Sequence, residues 1–257
     1  MIDLHCHILP GIDDGPDTME ETLELARVAV AAGTTTVIAT PHVSWDWPDV
    51  GAARIAAAVD EVNEALRVAA IDLEVRSGAE VALTRAGDLD DEELVRLRLG
   101  GGPWLLAECP LSSSGAGFEQ ALSALTAKGH RIVLAHPERS PLLQRDRELL
   151  GRLVGQGMLS SVTAGSLIGR FGRPVQDVAM EMVAAGMVHN IASDAHSAGR
   201  RPPGIRDELR DAGLGEQADW LGRAVPLAVV SGTKVPPMPP MPAHRKPGPL
   251  TRLFRRA

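Results

Sequence analysis

The sequence predicts an α/β fold built on a parallel sheet, closed into a barrel. Three observations carry this. Short β-rich runs alternate with longer amphipathic runs about seven times, the signature of repeated βα units. The β-rich runs are short and apolar, as in strands covered on both faces. No GxGxxG or GxxxxGK[ST] loop follows the first of them, which weighs against an open nucleotide-binding sheet.

The elements follow in order. MIDL is the first strand. The helix in DTMEETLELARVAVAAG starts at Asp17 or Thr18, carries Glu20 and Glu21 in its first turn and stops at Gly33. TTTVIATPH is a strand, 55–70 a helix, and LEVRSGAEVAL a strand. A short helix in DDEELVRLRL precedes the strand WLLAEC, and the helix FEQALSALTAKG precedes RIVLAH. LLQRDRELLGRLVGQG is read as one helix before LSSVTAG, and VQDVAMEMVAAG as one before VHNIASDAH. From Lys234 onward the chain is Pro-rich and then basic, with six Lys/Arg and no Asp/Glu. This segment is expected to be a flexible tail. Its end, LTRLFRRA, is either simply solvated or makes a weak contact with an anionic surface.

Composition narrows the class. Apolar residues make up 44% of the 257, aromatics 3%, and there is no Tyr, so the core is aliphatic. No apolar run approaches the roughly 18 residues of a membrane span, and no secretory leader pattern opens the chain. A cytoplasmic location is expected. Two cysteines, Cys6 and Cys109, make no disulfide framework, and a net charge of −7 does not suggest a nucleic-acid binder.

The polar residues fall at the strand ends. His5 and His7 share one face of the first strand, because residues i and i+2 of extended chain point the same way. His42 ends the second strand, Glu80 follows the third, Glu108 ends the fourth, His136, Glu138 and Arg139 follow the fifth, and Asp194 and His196 follow the seventh. The sixth ends near Thr163 with no strong ligand. Taken singly, each of these residues has an ordinary structural role. Their recurrence at the carboxyl ends of successive strands, where barrel active sites sit, points to a metal centre. Carboxylates packed there without cations would repel one another. Imidazole plus carboxylate without thiolate suits Mn, Fe or Zn. The donors outnumber the about four that a single tetrahedral zinc takes, so two or three ions are expected.

The motifs HCH, PH at His42, GAE at Glu80, AE at Glu108, AHPER and SDAH resemble the PHP (polymerase and histidinol phosphatase) superfamily. HCHILPGIDDGPDTMEET, GAEV, AHPER and SDAHSAGRRPP resemble more closely its bacterial manganese-dependent protein-tyrosine phosphatases of capsule and exopolysaccharide clusters. The resemblance covers about residues 1–232, leaving 233–257 as the tail. It implies a distorted seven-stranded (β/α) TIM-like barrel and three metal ions, Mn2+ first, with Fe or Zn as alternatives. One ion would be held by His5, His7, Glu80 and Asp194, and a second by Glu80, Glu108 and His136. A third would be held by Asp14, His42 and His196, with Asp13 the alternative to Asp14. Arg139 and Arg201 would bind phosphate. Apart from the resemblance, a tyrosine leaving group needs little protonation; if a general acid acts, His196, Glu138 or a metal-bound water is the candidate. The rim departs from the pattern: VSWDWPDV follows His42 where relatives are often basic, and Thr163 stands where they often have Asn.

The resemblance implies phosphomonoester hydrolysis by a hydroxide bridging the ions, acting on a tyrosine-phosphorylated protein such as a bacterial tyrosine kinase that regulates polysaccharide synthesis. A small-molecule phosphatase of the histidinol-phosphate kind and a non-enzymatic phosphoprotein scaffold are the alternatives. A cysteine nucleophile is disfavoured, since the HCx5R loop needs an arginine six residues after Cys6 and Ile12 stands there.

Overall fold

The computed structural model describes residues 1–112 and 115–241. Nine strands run through them: β1 (Ile2–Cys6), β2 (Thr36–Ala39), β3 (His42–Val43), β4 (Glu74–Ser77), β5 (Glu80–Ala82), β6 (Trp104–Glu108), β7 (Arg131–Ala135), β8 (Leu159–Thr163) and β9 (Asn190–Ala192). All pairings are parallel and fall into two sheets, β1-β2-β4 and β3-β5-β6-β7-β8-β9. The expectation was seven strands in one closed barrel; the described residues form nine, in two parallel sheets.

Two of the expected strands are each cut in half. TTTVIATPH breaks between Ala39 and His42, where Pro41 has no N–H to give to a ladder. LEVRSGAEVAL breaks at Gly78-Ala79. A Cβ on Gly78 would lie 2.7 Å from Ile38 Cγ2, so glycine lets the two chains approach there. The breaks are aligned, since β2 pairs with β4 before them and β3 with β5 after them. The other ends of the sheets meet at a lone parallel bridge, Cys6 with Ala195. There Asp194 N donates to His5 O at 2.8 Å and His7 N to Ala195 O at 2.9 Å.

Aliphatic side chains pack on both faces of the strands. Leu4, Ile38, Leu105, Leu106, Val133 and Leu134 are buried. Truncating one of them, such as Leu106→Ala, costs about 2–5 kcal/mol in transfer and cavity terms. Helices cover the outside. Met19–Ala31 is capped by Thr18, whose Oγ1 accepts from Glu21 N at 3.3 Å. The helix expected over LLQRDRELLGRLVGQG is two, Pro141–Arg145 and Arg147–Gly155. Asp146 divides them and caps the second, accepting from Leu149 N at 2.8 Å.

After β9 come Arg206–Asp211, a π-helical turn Trp220–Ala224 and Val225–Ser231, none of them read from the sequence. Packing continues past the boundary expected at 232. Trp220 Nε1 donates to Pro236 O at 3.3 Å, Gln217 Nε2 donates to Pro240 O at 3.1 Å, and Val235, Met238 and Met241 lie against the core. Residues 242–257, with LTRLFRRA, are outside the described part. Among the described residues no helix is long and apolar enough to cross a membrane.

Candidate metal centre

Because the strands are parallel, their carboxyl ends share one side of the molecule, and the predicted residues gather there. His5 lies in β1 with His7 just beyond, His42 opens β3, Glu80 opens β5 and Glu108 closes β6. His136 follows β7, and Asp194 and His196 follow β9. Backbone at this end is unusual. His136 has φ +34° and Asp194 φ +51°, a region that non-glycine residues enter at a cost of ~1–3 kcal/mol. Surrounding bonds hold them there, and at His136 the backbone N donates to Ser161 O at 2.9 Å. Asp3 Oδ1 accepts from His5 N (3.2 Å) and Ser193 N (3.0 Å), tying β1 to the Asp194 turn.

Three groups of donor atoms each lie within 4.8 Å of one another: His7, Asp14, His42 and His196; His5, His7 and Glu80; and His42, Glu80 and Glu108. Glu80 is the centre. Its Oε2 lies 3.2 Å from His5 Nε2, 3.2 Å from His42 Nδ1 and 3.5 Å from His7 Nε2, while His136 Nε2 bonds Oε1 at 2.7 Å. Glu108 groups with His42 and Glu80, and the charge of His136 also acts on it. Asp194 divides its oxygens. Oδ1 is 3.5 Å from His5 Nε2 and 3.6 Å from His7 Nε2. Oδ2 takes Arg139 Nη1 at 2.5 Å and Arg201 Nη2 at 2.6 Å.

The two aspartates of IDDG divide the work. Asp14 Oδ1 is 3.3 Å from His196 Nε2 and 3.5 Å from His42 Nε2, inside the cluster. Asp13 stands behind it. Its Oδ2 meets His7 Nδ1 at 2.6 Å and accepts from His42 N at 2.9 Å, and its Oδ1 accepts from Gly15 N at 3.1 Å. Glu138 is also set apart. It is fully buried, and its Oε1 accepts from Thr163 N (3.0 Å) and Ser166 Oγ (2.7 Å), which anchors the end of β8. Phe171 was not foreseen. Its ring lies 4.5 Å from the Arg139 guanidinium and 5.9 Å from that of Arg201. Asp3 was missed too, although its i, i+2 spacing to His5 was a signal.

The electrostatics fit divalent cations. Burial opposes ionisation of Glu80, but the His5 and His136 charges outweigh it and hold the carboxyl well below its usual range. Burial, then the charge of Glu80, push Glu108 up to about 7. Burial opposes charge on His7, yet Asp13 and Glu80 raise it to about 10. Glu80 Oε2 is buried without a hydrogen bond although three imidazoles surround it. A cation among them would satisfy that oxygen and remove the repulsion between the carboxylates. Two grooves flank the cluster. One of about 610 Å³ runs between Asp14–Asp17 and His196–Arg201. The other, about 660 Å³, is lined by Asp46, Thr84, Glu108, Leu111 and Phe118.

Fold and site together define a class: an α/β protein carrying a histidine–carboxylate cluster at the carboxyl ends of parallel strands, with two arginines beside it. Known proteins narrow the class. Residues 1–212 match the family described as capsular polysaccharide synthesis, CpsB/CapC, and the chain belongs to that family. It is 36% identical over 197 residues to the tyrosine-protein phosphatase YwqE of Bacillus subtilis, covering 77% of this chain and 78% of that one. It is 30% identical over 217 residues to the putative tyrosine-protein phosphatase CapC of Staphylococcus aureus, covering 83% and 84%. A crystal structure from work on YwqE and Streptococcus pneumoniae CpsB, described as unique metal-dependent tyrosine phosphatases, superposes with a TM-score of 0.84. The identity is 32%, with 95% of this chain and 100% of that one covered. Dihydropyrimidinase from Brevibacillus agri shares the fold alone, at a TM-score of 0.50 and 14% identity over 88% of this chain and 69% of that one.

Proposed function

We propose that the chain is a metal-dependent phosphomonoesterase that removes phosphate from phosphotyrosine in a protein, as the names of its relatives describe for them. The observation that carries the reading is the convergence of Arg139 and Arg201 on Asp194 Oδ2 at the edge of the cluster. Guanidinium forks suit phosphate oxygens better than lysine does, and here two stand beside a multi-cation site. His5, His7, Asp14, His42, Glu80, Glu108, His136, Asp194 and His196 hold two or three ions, Mn2+ before Fe or Zn. Such ions act as Lewis acids and bring the pKa of water toward neutrality.

The chain's own residues do the rest. Arg139 and Arg201 orient the phosphate, with Phe171 stacked against both. Asp13 fixes the ring of His7 and the backbone at His42. Glu138 holds the end of β8 next to the arginine that follows it. A tyrosine leaving group, pKa about 10, needs little protonation, so no dedicated acid enters this reading. The partner is a phosphorylated bacterial tyrosine kinase in the cytoplasm, and residues 1–232 are the catalytic unit, a barrel of seven strands, two of them interrupted. The test is turnover by the cation-loaded chain on a phosphotyrosine peptide, histidinol phosphate and a phosphoserine peptide. The reading expects the first to dominate. Preference for histidinol phosphate would make it a small-molecule phosphatase, and no turnover of any would leave a scaffold.

A further inference from the structure

At the opposite ends of the strands lies a cavity of about 480 Å³, a volume within the ~300–1,000 Å³ of small-molecule sites. Trp104 opens β6 and Arg131 opens β7, while Met158 stands just before β8, and all three line it with His130, Val235 and Lys234. Glu108 of the metal centre closes the strand that Trp104 opens. Four residues of strand put roughly 13 Å between them at about 3.3 Å per residue.

The lining is one-sided in charge. It contains Arg131 and Lys234 and no Asp or Glu, in a chain with a net charge of −7. The Arg131 guanidinium stacks on the Trp104 ring at 5.6 Å, and neither cation is in an ion pair among the described residues. Asp91, the acidic charge felt at His130, is taken by Lys128 Nζ at 2.8 Å.

Two buried donors at the cavity lack acceptors. Trp104 is 5% exposed and its Nε1 has no partner. His130 is 3% exposed. Its Nδ1 accepts from Arg98 Nη2 at 3.1 Å and Nε at 3.3 Å, which leaves the ring proton on Nε2, and Nε2 has no partner. Buried N–H groups are almost always bonded, and these two unpaired ones lie in the wall of the cavity, behind its accessible surface.

We propose that this cavity is a second ligand site, on the face away from the metal centre, for a small organic anion. Its phosphate or carboxylate end is held by Arg131 and Lys234, and its apolar or planar body lies against Ile132, Met158 and Val235. The site is independent of the phosphatase reading, since none of its residues belongs to the cluster.

The test uses the full chain, 15N-labelled and loaded with diamagnetic Zn2+, titrated with phenylphosphonate, a phosphate-ester mimic that hydrolysis does not consume. The chain has four tryptophans, and the indole N–H signal of Trp104 is identified by its loss in Trp104→Phe. Should that variant fail to fold, the Trp→Phe changes at 45, 47 and 220 identify the signal by elimination. The Trp104 signal is expected to shift saturably. In the Arg131→Ser/Lys234→Ser double variant the Kd rises about tenfold or more. In Arg139→Ser, on the other face, the Trp104 titration is unchanged. A signal that does not move, that moves alike in the double variant, or that stops moving in Arg139→Ser overturns the proposal.

Discussion

Asp13 Oδ2 sits 2.6 Å from His7 Nδ1 and thereby settles which nitrogen of His7 faces the cluster. With Nδ1 engaged, Nε2 is the atom turned toward Glu80 and Asp194. Carboxylates behind metal-binding histidines orient the ring and raise its basicity, and their loss costs ~10–100-fold in metal affinity or activity. Asp13→Asn should therefore fold normally but need roughly that much more cation to reach half-maximal turnover. A titration of activity against free Mn2+ checks it. An unchanged half-point would assign Asp13 to loop geometry alone.

Glu80 has the opposite position, in the middle of four imidazoles rather than behind one. Glu80→Gln keeps the shape and removes the charge that His5, His7, His42 and His136 share. Turnover should be lost while the far-ultraviolet circular dichroism of the chain stays the same. Near-parent turnover at any cation concentration would refute the central place given to this carboxylate.

Much of this site was legible in the sequence because its residues recur at strand ends, and period-two spacing turns His5 and His7 to one face. The geometry that brings the donors together was not legible. Glu108 joins His42 because the aligned breaks at Pro41 and Gly78 set β3 beside β5 and β5 beside β6. Nothing local to AEC or PH encodes that alignment. IDDG could not tell Asp13 from Asp14, since the choice depends on a backbone bond to His42, 29 residues away. The final helices escaped because each is short, and amphipathic period needs length to register. The Pro-rich stretch read as free chain on composition, yet Trp220 and Gln217 reach its carbonyls.

The cysteines offer a third test. Cys6 and Cys109 are buried, and burial pushes both thiols well above their usual range. Thiolate is the reactive form, so iodoacetamide should leave the native chain active, Cys6→Ser should retain most of its turnover, and a chelator should abolish it. Inactivation by alkylation with indifference to chelator would reverse the mechanism.

The two tryptophans after His42 separate on structure. Trp45 is 55% exposed at the rim, with Arg85 4.4 Å over its ring and Nε1 donating to Thr84 O at 3.2 Å. Trp47 packs against the core. Aromatic pairing contributes about 0.5–1.5 kcal/mol beyond burial, or roughly three- to tenfold. Trp45→Ala should raise KM for a phosphotyrosine peptide by that factor and leave an alkyl phosphate little affected. Trp47→Ala should lower Tm and act on both substrates alike. Equal effects of Trp45→Ala on both substrates would take it out of the recognition surface.

His189 supplies the pH dependence, away from the cluster. It is half-buried before β9, where its Nδ1 accepts from Ser160 N at 3.3 Å and its ring lies 6.4 Å from Trp220. Burial presses its pKa down to about 4, against about 6.5 in unfolded chain. Between those values the unfolded chain binds a proton that the native chain refuses. Stability is therefore complete above about pH 6.5, falls as pH drops toward 4 and then levels off. A gap of this size corresponds to about 3 kcal/mol. His189→Gln retains an acceptor for Ser160 N and removes the titration. Urea denaturation of both chains in chelator, from pH 7 to pH 4, should show the native chain losing about 3 kcal/mol more than the variant. Parallel profiles would mean that His189 takes up its proton without unfolding, and that its burial does not govern acid stability.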